Sequence, residues 1–357
     1  MTSRFRSSRV SLGILATALV CAVGAALLPD DPYQRSQLLD DTIHRKARWI
    51  YERTHYDDVP IDIVAIGSSR IGAGFDAPRL AAALDARGLP ANVVNFSLPE
   101  AGRDINYAVF EEVLETKRPK LLVLSVAEKP SRVGHSAFKY LARSGLVADP
   151  AYVSNLNFGS NLAYLPFRQM ELSAARIAPG FFGLRKDFDP GRYWGHSKQS
   201  TGDILLPGGK IKEGDDAAPL AELERGVHKL EKGSTPPILP ASMSHIEFGD
   251  EYVWTRRIAE LAQQHNVKIV FLFIPYYTGS SKIQEQAFYE RYGDVWNAGF
   301  VSPRADLFSD YGHLTSGGAK VVTDSMIPRF VAKMQAITGQ QAKPVPTASA
   351  PATAGRP

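Results

Sequence analysis

The sequence predicts an α/β protein built on a five-stranded parallel sheet with helices on both faces. Three observations carry this reading. Short apolar, β-branched runs recur at 61–66, 92–96, 121–126 and 267–274, with a shorter fifth near Phe300. Between them lie stretches with helical periodicity, so that strand and helix alternate along the chain. The runs are continuously apolar, as strands covered on both faces must be, and crossover helices between neighbouring strands imply parallel pairing.

The elements follow in order. Arg4, Arg6 and Arg9 form a basic tail over 1–9, followed by an uncharged stretch over 10–28 closed by Pro29-Asp30-Asp31. At about 1.5 Å per residue a helix over 10–28 nearly matches a bilayer core of roughly 30 Å. A cleaved signal peptide usually has a shorter apolar region and a clear small-x-small site, and Ala22-Val23-Gly24 is a poor one. A single-pass signal-anchor in the inner membrane is therefore expected, with the body exported. Residues 29–59 read as a stalk, helical over 36–55 with Leu39, Ile43, Ala47 and Ile50 on one face. The main domain spans 60–338. Its first helix runs over 78–87, capped by Asp76 and stopped by Gly88; its second covers 104–116. Between the third and fourth strands an insertion of about 129–245 contains a helical pattern near 161–177, the aromatic stretch "PGFFGLRKDFDPGRYWGH", and a hairpin around Gly208-Gly209. An insertion this long suggests a lid or a partner surface. An amphipathic helix over 247–264 leads into the fourth strand, and a last helix covers 316–337. The Pro/Ala-rich tail 339–357 is expected to be disordered.

Composition narrows the function classes. The chain has 357 residues and a net charge of +4, with 41 cations scattered among 37 acids. Nucleic-acid binders concentrate their cations in runs, so this surface reads as an ordinary mixed one. Cys21 is the only cysteine and lies in the apolar stretch, which excludes disulfides and thiolate metal sites from the exported body. His135 and His196 show no metal-ligand pattern, and no metal or cofactor is expected.

The stretch "IVAIGSSRIGAGFD" over 63–76 is the first place where chemistry can sit. As a dinucleotide turn it fails: Gly72 comes five residues after Gly67, and Asp76 would face the pyrophosphate. The second strand also carries Asn95 where an acid is wanted. As a nucleophile turn it offers Ser69 at the carboxyl end of the first strand, beside the crevice expected in such sheets, with the following helix supplying N–H groups. A plain turn serine is the bland alternative. The base is His313 in "LFSDYGHLTSGG", with Asp310 three residues earlier on the same side of a turn, and Asp306 as a substitute orienter. His313 could instead only bind backbone at a helix entry, and Asp310 could only cap the last helix. The same short patterns recur at Ser281 and at Asp41/His44, but away from strand ends. Arg70 is either a surface ion pair or a substrate clamp. Glu128 is a surface acid at a strand end, since an ionised carboxylate would repel an oxyanion. Tyr276, Tyr277, Tyr193 and Trp194 either stack on sugar rings or pack.

These blocks resemble the SGNH (GDSL-like) hydrolase superfamily. "AIGSSR" is similar to its first block, "VVNFSLPEAG" to the second and "SDYGHLTSGGA" to the last. The third block departs: Ser125-Val126-Ala127-Glu128 stands where Gly-x-Asn-Asp would be, so one side-chain oxyanion donor is missing. The resemblance covers roughly 60–128 and 247–335 and leaves the insertion unexplained. It implies a flavodoxin-like three-layer fold, Ser69 as nucleophile, His313 as base and Asp310 as its orienter. It also implies an oxyanion hole from the backbone N–H groups of Ser69 and Gly102, with the Glu100 backbone as the alternative. Arg70, Tyr276 and Tyr277 become candidate substrate contacts. The anchor, the Gly-Ser-Ser-Arg form and the insertion are most similar to the exported branch, which includes alginate O-acetylation and teichoic acid D-alanyl transfer proteins. That branch implies a serine O-acyltransferase, with acetyl as the expected group, on an envelope or extracellular polysaccharide, and a membrane-bound O-acyltransferase as partner. A simple carbohydrate or lipid esterase is one alternative. An inactive glycan-binding or scaffold subunit of a secretion complex, favoured by the missing donor, is the other.

Overall fold

The computed structural model describes residues 2–150, 153, 155–196, 204–205, 211–212, 216–233 and 236–343, with side chains from residue 13 onward except at 204–205 and 211–212. Helix α1 (Thr2–Ala26) leads into α2 (Pro32–Gln37) and α3 (Lys46–His55). The helix expected over 36–55 is therefore interrupted. The Thr42 hydroxyl donates to the Leu39 carbonyl at 2.8 Å and accepts from the His44 N–H at 3.0 Å, local bonds that compete with helical ones. Asp31 caps α2 by accepting from the Gln34 N–H at 3.0 Å.

The sheet begins with β1 (Ile63–Ile66), followed by α4 (Ser69–Gly74), α5 (Ala77–Asp85), β2 (Val93–Asn95), α6 (Arg103–Thr116) and β3 (Leu121–Val126). The Asp76 carboxylate accepts from the Arg79 N–H at 3.0 Å to start α5, and Gly88 with φ +68° follows its end. The insertion holds α7 (Phe138–Leu141), α8 (Ser144–Val147), α9 (Phe158–Ala175), the antiparallel pair β4 (Ile204–Leu205) and β5 (Ile211–Lys212), then α10 (Leu220–Gly233) and α11 (Ser244–Glu247). The hairpin strands stand where expected; the turn at Gly208-Gly209 lies outside the described residues. Then come α12 (Gly249–Gln264), β6 (Lys268–Phe273), α13 (Gln286–Tyr289), β7 (Asp294–Asn297), β8 (Phe308–Asp310), β9 (His313–Leu314) and α14 (Ser316–Thr338). The fifth strand is thus 294–297, and Phe300 falls in the half-exposed turn after it.

Five strands pair in the order β2-β1-β3-β6-β7, all parallel. The order reverses beside β1, so the crevice at its carboxyl end is open between two diverging loops. Alternate residues of each strand enter opposite cores. Ala65, Val123 and Val270 pack with Leu80 and Leu84 of α5 and Met326 and Phe330 of α14. Val64, Leu122 and Phe271 pack with Trp49 of α3, Phe110 of α6 and Ile258 of α12. Each such aliphatic or aromatic side chain contributes about 1.5–3 kcal/mol when fully buried. Both faces are covered, which explains the unbroken apolar runs.

The ends of the chain differ from expectation. Among the described residues no helix is long and apolar enough to cross a membrane, so the spanning helix expected over 10–28 is not found. The part of α1 with described side chains, 13–26, is about 21 Å long at 1.5 Å per residue, short of a bilayer core of roughly 30 Å. At the other end, Lys343 donates its N–H to the Arg87 carbonyl at 2.9 Å, so the tail is ordered that far; 344–357 lie outside the described residues.

Candidate active site

The site is assembled where β1, β3 and the β8–β9 turn end. Gly67 follows β1, and a Cβ there would lie 2.1 Å from Ser125 Oγ, so only glycine lets the ends of β1 and β3 approach this closely. The Ser68 N–H donates to Ser125 Oγ at 3.3 Å, and Ser68 Oγ caps α4 by accepting from the Arg70 N–H at 3.4 Å. Ser69 is consequently the first residue of α4. This helix has only six residues, shorter than the helix the sequence suggested for anion binding.

His313 reaches Ser69 from the other side. The Asp310 carboxylate closes a tight turn by accepting from the Gly312 N–H at 2.8 Å, which returns the chain onto β8 as β9. Both Asp310 oxygens then lie 2.8 Å from His313 Nδ1, and His313 Nε2 lies 2.7 Å from Ser69 Oγ. A carboxylate on Nδ1 fixes the tautomer with Nε2 free to accept the serine proton. The Asp310 and His313 side chains are 24% and 25% exposed, open enough to meet a ligand. Thr315 anchors the segment: its N–H donates to the Leu307 carbonyl, and its hydroxyl accepts from the Gly318 N–H at 3.0 Å to start α14. Asp306, the substitute orienter, is instead paired with exposed Arg304.

Among the described residues no protein group accepts from the Ser69 or Gly102 N–H. Gly102 begins α6 against the His135 backbone, where a Cβ would lie 2.4 Å from the His135 nitrogen. His135 is a residue that sequence reasoning missed. Its N–H donates to the Asp104 carboxylate at 2.8 and 3.0 Å, its Nδ1 accepts from the Ala137 N–H at 3.1 Å, and its Nε2–H donates to the Pro99 carbonyl at 2.5 Å. Those bonds hold the loop 99–102, whose Glu100 has φ +70°. Burial, followed by the neighbouring His44, pushes the His135 imidazole down to about 4, so it is neutral. Only the spacing of an insertion residue from the second block could have signalled it, and such long-range contact leaves no local pattern.

Where the third block departs, a pair of charges stands. Arg70 Nη1 lies 2.8 and 2.6 Å from the two Glu128 oxygens, and its guanidinium lies 5.4 Å from the Tyr276 ring centre. Arg70 is thus salt-bridged. Tyr276 is half-buried beside the pair, in reach of the site. Tyr277 is not: it is buried against Phe308, its ring centre 5.7 Å away, and its N–H donates to Tyr311. Consecutive residues after a strand point to opposite sides, and the second of these enters the core. Tyr193 and Trp194 pack far along the chain at α3, Tyr193 donating to Asp57 and Trp194 lying under Arg45 and Arg48. The insertion also covers the site: Leu223 of α10 is buried in the core, and Gly226 sits against the Tyr311 ring between Asp310 and His313.

Two groups among the described residues have the composition of cation ligands, His44/Glu100/His135 and His55/Glu112/Glu115. In the first, both ring nitrogens of His135 are already taken by backbone. No family model and no curated protein matches this chain.

Proposed function

We propose that the chain is a serine acyl-ester enzyme, and that its most fitting role is O-acyl transfer to a carbohydrate hydroxyl. The observation that carries this is the continuous Ser69–His313–Asp310 hydrogen-bond line at one sheet edge. The strand order is compatible with a flavodoxin-like fold, and the motif resemblance to the SGNH superfamily points to the same chemistry. In the forward step Ser69 Oγ bonds to the ester carbonyl carbon as its proton passes to His313 Nε2. The N–H groups of Ser69 and Gly102 hold the oxyanion. Collapse breaks the ester C–O bond, and His313 returns the proton to the leaving oxygen. An acceptor hydroxyl then attacks the acyl-enzyme by the reverse sequence. Asp310 orients the imidazole and stays ionised. No metal or cofactor is needed.

The acyl group we favour is acetyl, and the acceptor an envelope or extracellular polysaccharide. On this reading the domain works outside the cytoplasm at the inner membrane, supplied by a membrane-bound O-acyltransferase. Arg70 and Tyr276 line the approach as substrate contacts. The Arg70–Glu128 pair, standing where a side-chain donor would be, favours a second reading: an inactive glycan-binding subunit. Turnover of p-nitrophenyl acetate by the full chain separates them. The enzyme reading predicts product release that is lost with Ser69→Ala and His313→Ala and is accelerated by a polysaccharide acceptor. Release unaffected by acceptor but lost in both variants makes it an esterase. Release equal to buffer supports the subunit reading.

A further inference from the structure

Helix α9 of the insertion has an outer face that the catalytic reading does not use. Ala163, Phe167, Met170, Ala174 and Ile177, the last just beyond its end, are all exposed. Their spacing is four, three, four and three residues, so they fall on one narrow stripe of a helix with 3.6 residues per turn. The stripe runs about 21 Å at about 1.5 Å per residue. Phe167 is 63% exposed, Ile177 89%, and Phe181 beyond them 87%. No polar side chain interrupts it. The opposite face is fixed to the domain: Leu165 and Leu172 are buried, Arg168 donates to the Lys139 and Ala142 carbonyls, and Gln169 donates to the Leu28 carbonyl.

Helix α1 packs against α9 and exposes Leu15, Leu19, Val20 and Val23. The apolar surface therefore continues over two helices. Monomeric proteins rarely leave such contiguous apolar area to water. Its occupant is chosen by what surrounds it. The stripe itself carries no hydrogen-bonding side chain; exposed Ser160 and half-buried Glu171 and Ser173 flank it. The α1 sequence contains Arg4, Arg6 and Arg9 and no acid, the charge pattern that suits anionic headgroups.

We infer that the exposed stripe of α9, together with α1, is a lipid-contacting face by which the domain lies on an anionic phospholipid bilayer. This inference is independent of the acyl-transfer reading. It gives the insertion a role, since α9 and α1 together hold the domain against the membrane surface.

The test uses the full chain with Cys21→Ser and single cysteines at Phe167→Cys, Ile177→Cys or, as a remote control, exposed Arg304→Cys, each labelled with an environment-sensitive fluorophore. Vesicles contain phosphatidylcholine and phosphatidylglycerol in equal parts. Emission at 167 and 177 is expected to rise severalfold and shift to the blue with vesicles, while 304 stays unchanged. If the chain floats with vesicles while 167 and 177 keep their aqueous emission, α1 alone binds lipid and the inference fails. A blue shift without vesicles that grows with protein concentration identifies a second copy as the occupant and overturns it as well. A Phe167→Ser/Ile177→Ser variant, altering only exposed positions, should weaken vesicle binding on the order of tenfold or more.

Discussion

At the scale of single residues, the candidate chemistry rests on one imidazole held between a carboxylate and a hydroxyl. Replacing Asp310 by Asn keeps the turn bond to Gly312 but offers the wrong partner to Nδ1. Turnover should fall about 10⁴-fold with little change in KM, measured by steady-state ester hydrolysis. The Arg70–Glu128 pair gives a second prediction. Arg70→Met leaves the Glu128 carboxylate, 16% exposed, without its cation near a developing negative charge. Turnover should drop on the order of 10- to 100-fold, and Glu128→Gln added to Arg70→Met should recover most of it; a double variant no better than the single one contradicts this coupling. The candidate triad was legible because Asp310 and His313 are three residues apart in one turn and Ser69 ends a strand. Stacking and packing stayed open together for Tyr276 and Tyr277 because nothing local distinguishes the two; only the packing of Tyr277 against Phe308 does. His135 was invisible because its partners Pro99 and Asp104 lie more than thirty positions away.

At the scale of elements, the four apolar strands β1, β2, β3 and β6 were readable, since burial on both faces leaves little polar alternation to confuse them. Helix α4 and strand β7 were not. Helix α4 is a single capped turn with too few residues for a period, and β7 carries Asp294 and Asn297 at an edge of the sheet, so its apolar signal is weak. The break between α2 and α3 depended on the Thr42 side chain and overrode an acceptable helical pattern. Helix α10 makes a prediction at this scale. Gly226 faces Tyr311 so closely that a Cβ would lie 2.4 Å from the ring. Gly226→Ala must push Tyr311, and with it the turn joining Asp310 to His313. Activity should fall about tenfold or more while the melting temperature changes by only a few degrees. Unchanged activity would mean that α10 covers the turn without positioning it.

At the scale of the whole molecule, α6 and α12 share a buried acidic network behind the 99–102 loop. Arg103 pairs with Glu251 at 2.8 Å, while among the described residues Asp104 and Asp250 are buried with no cation of their own in direct contact. Burial pushes Asp104 up to about 7, against the pull of the His135 and Ile105 N–H groups; burial and the charge of Asp104 push Asp250 well above the usual carboxylate range. The folded chain therefore holds protons that the unfolded chain releases, and these two groups make stability fall as pH rises. Neutral His135 works in the opposite direction below about 6.5, the ordinary histidine value, so the clean window lies above it. The melting temperature should decrease from pH 6.5 to 9, and Asp250→Asn should flatten that slope; a rising or pH-independent melting temperature contradicts the protonated network. None of this was legible in sequence, because Asp104 and Asp250 meet only through the packing of two distant helices. Whether Ser69 carries the acyl group is decided by the intact mass of the full chain after a pulse of p-nitrophenyl acetate. The expected result is one acetyl group, mapped to Ser69 and absent in Ser69→Ala and His313→Ala. An unmodified Ser69, in a sample that still releases p-nitrophenol above background, would overturn covalent catalysis at this serine.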